Sequence, residues 1–132
     1  MTYKNYILYK IYYGDELVYI GRTKQDLQCR LRNHFFGGNA MTKHIDILQT
    51  TRIEYCLCQT EADLYLLEIY LICKYKPLIN KDDKPSDDLT IYIPEPQFYE
   101  YYDPIIDKWK EKQIEYLIDV SPLDYSDEDF YF

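Results

Sequence analysis

Two β-branched, aromatic runs, Tyr6-Ile-Leu-Tyr-Lys-Ile-Tyr-Tyr13 and Leu17-Val-Tyr-Ile20, are separated only by Gly14-Asp15-Glu16. A connection this short can join neighbouring strands in antiparallel fashion, whereas a parallel pair needs a crossover of a dozen residues or more. The chain therefore opens on a β-hairpin.

The period then changes. In Asp26-Leu-Gln-Cys-Arg-Leu-Arg-Asn-His-Phe-Phe36, Leu27, Leu31 and Phe35 share one helical stripe, and Gly37-Gly38 supplies the stop. Residues 39–50 form a looser segment with a short helix expected around His44 to Leu48. Arg52-Ile-Glu-Tyr-Cys-Leu-Cys58 alternates as a third strand should. Thr60-Glu-Ala-Asp63 has the form of a capping box and starts a helix that runs to about Tyr75, limited by Pro77. The order β-β-α-(α)-β-α predicts an α+β domain, a small antiparallel three-stranded sheet flanked by helices.

Past Asn80 the composition shifts. Lys81-Asp-Asp-Lys-Pro-Ser-Asp-Asp88 reads as a polar linker, and Thr90-Ile-Tyr-Ile93 as a short strand ended by Pro94 and Pro96. Asp103-Pro104 resembles an N-cap with proline at the first helical position, leading a helix over about 104–118. The last nine residues are acidic with interspersed aromatics and are expected to be mobile. Domain limits follow: 1–84 for the working domain, 85–132 for an acidic C-terminal extension.

Charge follows the same division. The net charge of −8 combines residues 1–80, with ten Lys/Arg and eight Asp/Glu, and residues 81–132, with five Lys/Arg and fifteen Asp/Glu. A near-neutral domain thus precedes a strongly acidic segment. With 47% hydrophobic and 17% aromatic residues the chain is not disordered overall. Its seventeen tyrosines name no function by themselves. Lys4 and Lys10 interrupt any signal peptide, and no apolar run is long enough to span a bilayer. Cys29, Cys56, Cys58 and Cys73 form no C-x-x-C pair, which argues against a zinc site. These features predict a soluble, cytoplasmic protein with reduced cysteines, in the host cell if the source is viral.

Polar residues on apolar stripes mark candidate chemistry. Glu68 lies four residues after Leu64 and three before Leu71, inside the stripe Leu64, Leu67, Leu71, Ile72, Tyr75. A carboxylate on a buried face is costly unless paired or bound to metal, although an Arg-paired glutamate at the stripe edge is the commoner case. Arg30 and His34 sit beside Leu31 and Phe35 on the first helix, where an ordinary ion pair and a satisfied core histidine are equally open. Converging on one site, the three would suit a phosphodiester reaction. A cation holds phosphate oxygens, an imidazole shuttles a proton, and a carboxylate fixes a metal ion.

The order of these residues resembles the GIY-YIG nuclease superfamily. Tyr19-Ile20-Gly21 reproduces its second motif in full, Arg30 and His34 follow on a helix, and Glu68 precedes Lys76-Pro-Leu-Ile-Asn80. The resemblance covers residues 6–80. The first motif departs from its name, having no Gly-Ile-Tyr. Family spacing of about ten residues between the two tyrosines selects Tyr9, in Tyr9-Lys10-Ile11, over Tyr12. Pairing leaves both open: a three-residue loop at Gly14–Glu16 puts Tyr9 on the face of Tyr19, and a two-residue loop puts Tyr12 there.

The resemblance implies a metal-dependent DNA endonuclease. Glu68 would bind a divalent ion, Mg2+ by the family pattern. Arg30 would offset charge on the phosphate, Tyr9 would activate or align water, and Tyr19 and His34 would support proton transfer. Asn80 would stabilise the site. Arg22, Lys24, Arg32 and Lys43 become candidate DNA-backbone contacts, or else ordinary solvated charges. The extension would pack on the domain, recruit a protein partner or lie over the DNA groove as an autoinhibitor. The competing reading is a catalytically silent nucleic-acid- or protein-binding module that retains the fold. The sequence leaves the oligomeric state open; double-strand cutting by one such site would need a dimer or sequential nicks.

Overall fold

The computed structural model describes residues 6–37, 42–80, 85 and 87–120. In chain order the elements are β1 (Tyr6–Tyr13), β2 (Glu16–Thr23), α1 (Leu27–Phe36), β3 (Thr50–Cys58), α2 (Glu61–Tyr75), β4 (Tyr99–Glu100) and α3 (Pro104–Val120). The strands form one antiparallel sheet in the order β2-β1-β3-β4. The α+β class and antiparallel sheet are as expected, but among the described residues the sheet has four strands where three were expected. The fourth, only two residues long, pairs Tyr99 with Tyr55 and Glu100 with Glu54. A segment that short has no readable period; the open N–H and C=O groups along the edge of β3 recruit it.

Residues 1–102 form one compact unit and residues 103–132 a second. In the second, the Asp103 carboxylate accepts from the Ile105 amide at 3.2 Å and its carbonyl from Ile106 at 3.0 Å, so the Asp103-Pro104 start works as read.

The hairpin settles its own register. The turn contains two residues, Gly14 and Asp15, and Tyr13 pairs with Glu16. Gly14 has φ 60°, the left-handed conformation glycine accepts without strain. That loop alone would bring Tyr12 onto the face of Tyr19. A bulge between Ile11 and Tyr12 shifts the pairing, so Ile11 opposes Tyr19 and Tyr9 opposes Gly21.

Alternation then divides the sheet into two faces. Leu8, Ile20 and Cys56 pack with Leu64, Tyr70, Leu71 and Ile72 of α2. The opposite face carries Tyr9, Ile11, Tyr19 and Ile53, all buried, as are Leu27, Leu31, His34 and Phe35 of α1. The Thr60 side chain caps α2 by accepting from the Asp63 amide at 3.0 Å.

Two expected elements are absent. Residues 44–48 form no helix: the Asp46 carboxylate accepts from the Leu48 amide at 2.9 Å and its carbonyl from Gln49 at 3.2 Å, closing a turn instead. Thr90–Ile93 is not a strand. Pro94 and Pro96 remove ladder donors, and the Ile93 amide donates to the Tyr70 hydroxyl at 3.1 Å. Ile93 and Phe98 pack against the α2-side core. Lys10, only 6% exposed, bonds Glu95 at 2.8 Å and lies 4.1 Å from the Phe98 ring centre. Residues 93–101 are thus a strap built into the first unit. Among the described residues, no helix is long and apolar enough to cross a membrane.

Candidate active site

The site grows from Gly21. A Cβ there would lie 2.6 Å from Cζ and Oη of Tyr9 and from Cε2 of Tyr19. Only glycine, directly opposite Tyr9, lets both phenol rings lean over this part of the hairpin. Their centres are 6.0 Å apart, and His34 from α1 closes the group with its ring edge-on to Tyr19 at 4.8 Å.

Hydrogen bonding orients the cluster. His34 Nδ1 is 2.7 Å from the Lys43 carbonyl and Nε2 is 2.7 Å from the Tyr9 hydroxyl. A carbonyl only accepts, so Nδ1 carries the proton and the Tyr9 hydroxyl donates to the free lone pair on Nε2. Burial, aided by the Arg30 charge against the pull of the Lys43 carbonyl, lowers the His34 pKa to about 4, leaving a neutral acceptor at pH 7. Arg30 Nε donates to the Tyr9 hydroxyl at 3.4 Å, a long bond. Burial raises both tyrosine pKa values, and Arg30 works in the opposite sense on each.

Beside the cluster opens a cleft of about 390 Å³ lined by Tyr19, Arg22, Thr23, Lys24, Gln25, Arg30, Tyr65 and Glu68. Glu68, 8% exposed, reaches it from α2 and is paired with Arg22 of β2. The Arg22 guanidinium stacks 4.2 Å from the Tyr65 ring centre. Tyr9 and His34, with no exposed surface, stand behind the Tyr19–Arg30 wall and do not line the cleft.

Asn80 belongs to the frame. Its Oδ1 accepts from the Ile20 amide at 2.8 Å and its Nδ2 donates to the Ile20 carbonyl at 2.9 Å, while the Ile79 amide donates to the Val18 carbonyl at 2.9 Å. The outer edge of β2 is thereby closed next to Tyr19. Lys76, left-handed at φ 49°, ends α2 and sends Pro77 to Asn80 back toward that edge.

Of the ten expected residues, Tyr19, Arg30, Glu68, Arg22 and Lys24 meet at the cleft, and Tyr9 and His34 join through Tyr19 and Arg30. Lys24 is held by Glu61 at 2.7 Å. Arg32 is exposed on α1, and the contact Lys43 makes with His34 is through its backbone. Tyr12 lies elsewhere, bonded to Glu54 at 3.1 Å. An Arg-paired glutamate at the stripe edge, the commoner reading of Glu68, is what the structure shows, with Arg22 as the partner that the sequence did not name. Sequence reasoning also missed the Tyr65 platform. The only signal was that Tyr65 precedes Glu68 by three on one helix. The Lys43 carbonyl left no signal, since any residue could supply it.

The family model for the GIY-YIG catalytic domain matches residues 5–82. The chain belongs to the GIY-YIG nuclease family. It is 39% identical over 80 residues to the UvrABC system protein C of Borrelia duttonii (strain Ly), and 35% identical over 82 residues to the protein of that name from Cyanothece sp. (strain PCC 7425 / ATCC 29141). Each match covers 58% of this chain and 13% of the relative. No solved structure matches the chain significantly.

Magnesium keeps most of its water shell and is commonly held by one or two carboxylates. Glu68 is the carboxylate in the cleft lining, and the cleft has room for a hydrated ion, so the residues fit.

Proposed function

We propose that the chain is a metal-dependent endonuclease that hydrolyses phosphodiester bonds in DNA, of the homing or phage-like or the structure-selective repair type. The observation that carries this reading is the meeting of Arg30, Glu68 and Tyr19 at one cleft, with the Tyr9–His34 pair behind it.

Glu68 would hold a divalent ion, Mg2+ by preference, which when bound supplies Lewis-acid stabilisation of charge on the phosphate. Arg30 faces the same cleft and offsets charge developing on the phosphate oxygens. Tyr19, which lines the cleft beside Arg30, would contact the attacking water in place of Tyr9, which is fully buried. Tyr9 orders the proton path behind it: its hydroxyl sits between Arg30 and the lone pair of His34. A phosphate that neutralises Arg30 removes one of the influences depressing the proton affinity of His34. Substrate binding would therefore make His34 a better proton acceptor. Lys24 and Arg32, with Lys43, are the remaining backbone contacts.

Free Cys29, Cys56, Cys58 and Cys73 fit a reducing, cytoplasmic setting. Residues 103–132 carry nine Asp/Glu against three Lys/Arg and would repel DNA or recruit a partner.

Plasmid nicking tests the proposal. Wild type should nick with Mg2+ and stop with chelator. Arg30→Ala should lose about 10²- to 10³-fold, and Glu68→Ala should be inactive. Persistent cleavage by Glu68→Ala would sink the site assignment. DNA binding with no cleavage by wild type on varied substrates would favour the binding module.

A further inference from the structure

Arg22 and Glu68 make the ion pair of the cleft, yet the two residues are held very differently. The Glu68 side chain is 10% exposed and fixed on α2, whereas that of Arg22 is 42% exposed on the outer strand β2. The guanidinium has a platform on Tyr65, 4.2 Å away, and the Tyr65 hydroxyl is anchored by Glu61 at 2.7 Å. A planar cation can slide over an anchored aromatic face without losing the stacking attraction. All four groups that matter to this movement, Arg22, Glu68, Tyr65 and Arg30, line one cleft.

A dication on the Glu68 carboxylate repels a guanidinium held on the same group, because like charges that close interact strongly in a partly desolvated site. We propose that Arg22 is a counter-ion latch, closed on Glu68 in the free protein and transferred to a substrate phosphate when the divalent ion enters. The latch rests on the reading of Glu68 as the metal ligand. Its consequence is coupling: the phosphate that draws Arg22 away favours metal binding, and the metal that expels Arg22 favours phosphate binding, by the same factor. Metal loading in the absence of DNA is held back by Arg22, which limits idle occupancy of the site.

The test is calorimetric titration of Mn2+ into the full chain without DNA, comparing wild type with Arg22→Met, Arg22→Gln, Arg22→Lys and Glu68→Gln. Both neutral variants should bind Mn2+ on the order of tenfold more tightly than wild type, while nicking more slowly. Arg22→Lys keeps a cation beside Glu68 and should stay near wild type. Unchanged or weaker Mn2+ binding in both neutral variants overturns the latch while leaving the metal site standing, provided Glu68→Gln loses the ion. Undiminished binding by Glu68→Gln, or none by wild type and by both neutral variants, overturns the metal site and the latch with it.

Discussion

Gly21 stands directly opposite Tyr9 in the hairpin, and the Tyr9 ring fills the volume a side chain at Gly21 would need. One missing methyl group thus lets two phenols and an imidazole gather beside a cleft.

Gly21→Ala should therefore disturb both tyrosines together. The new Cβ would meet ring and hydroxyl atoms at 2.6 Å, and relieving that overlap costs about 1–3 kcal/mol. Thermal melting should show the loss, and nicking should fall at least about tenfold at a temperature where the variant stays folded, since small misplacements are costly in catalysis. Gly14→Ala is the contrast. Nothing lies within 4 Å of its Cβ, but φ 60° strains alanine by roughly 1–2 kcal/mol, so stability alone should drop. Equal activity loss in the two variants would contradict the packing argument.

His34 gives stability a defined pH dependence. Its pKa is about 4 in the folded protein and near 6.5 when unfolded, so the unfolded chain takes up the proton first as pH falls. The contribution is complete above pH 6.5 and is lost as pH falls toward 4, reaching roughly 3 kcal/mol by linkage. Urea unfolding from pH 7 to pH 4 should show a steeper decline for wild type than for His34→Gln. His44 is exposed and present in both. Parallel curves would mean that His34 is not held neutral.

Asn80 satisfies both main-chain groups of Ile20. Asn80→Ala leaves a buried donor and acceptor unpaired, at about 2–4 kcal/mol. Denaturant midpoints should move accordingly, whereas the residual nicking rate of folded Asn80→Ala should exceed that of Glu68→Ala by an order of magnitude or more. A rate as low as that of Glu68→Ala would give Asn80 a chemical role.

Truncation should separate strap from tail. A chain of residues 1–102 keeps Ile93, Glu95, Phe98 and β4, and should melt close to the full chain. A chain of residues 1–84 leaves Lys10 buried without Glu95 and uncovers the core around Leu8 and Cys56, at a cost of several kcal/mol. Affinity of the 1–102 chain for duplex DNA across salt also tests autoinhibition; no gain over the full chain counts against it.

Reading periodicity located β1, β2, α1, β3 and α2, because each carries its own repeat, cap or turn signal. It also found Glu68, Arg30 and His34, because a polar residue on an apolar stripe is visible locally. The family pattern, not periodicity, singled out Tyr9. The 44–48 turn was misread as helix because Asp46 competes locally for the same amides that a helix would use. The fourth strand went unseen because two residues have no period.

The sequence by itself determined the hairpin, the helix stripes and the order of Tyr, Tyr, Arg, His, Glu and Asn along the chain. Only the tertiary structure decided that a bulge, and not the loop length, puts Tyr9 on the face of Tyr19, that Arg22 closes on Glu68, and that a Lys43 carbonyl sets the tautomer of His34. The reason is physical: stripes and turns are properties of neighbours in sequence, whereas register shifts, ion pairs and carbonyl contacts depend on which distant surfaces meet.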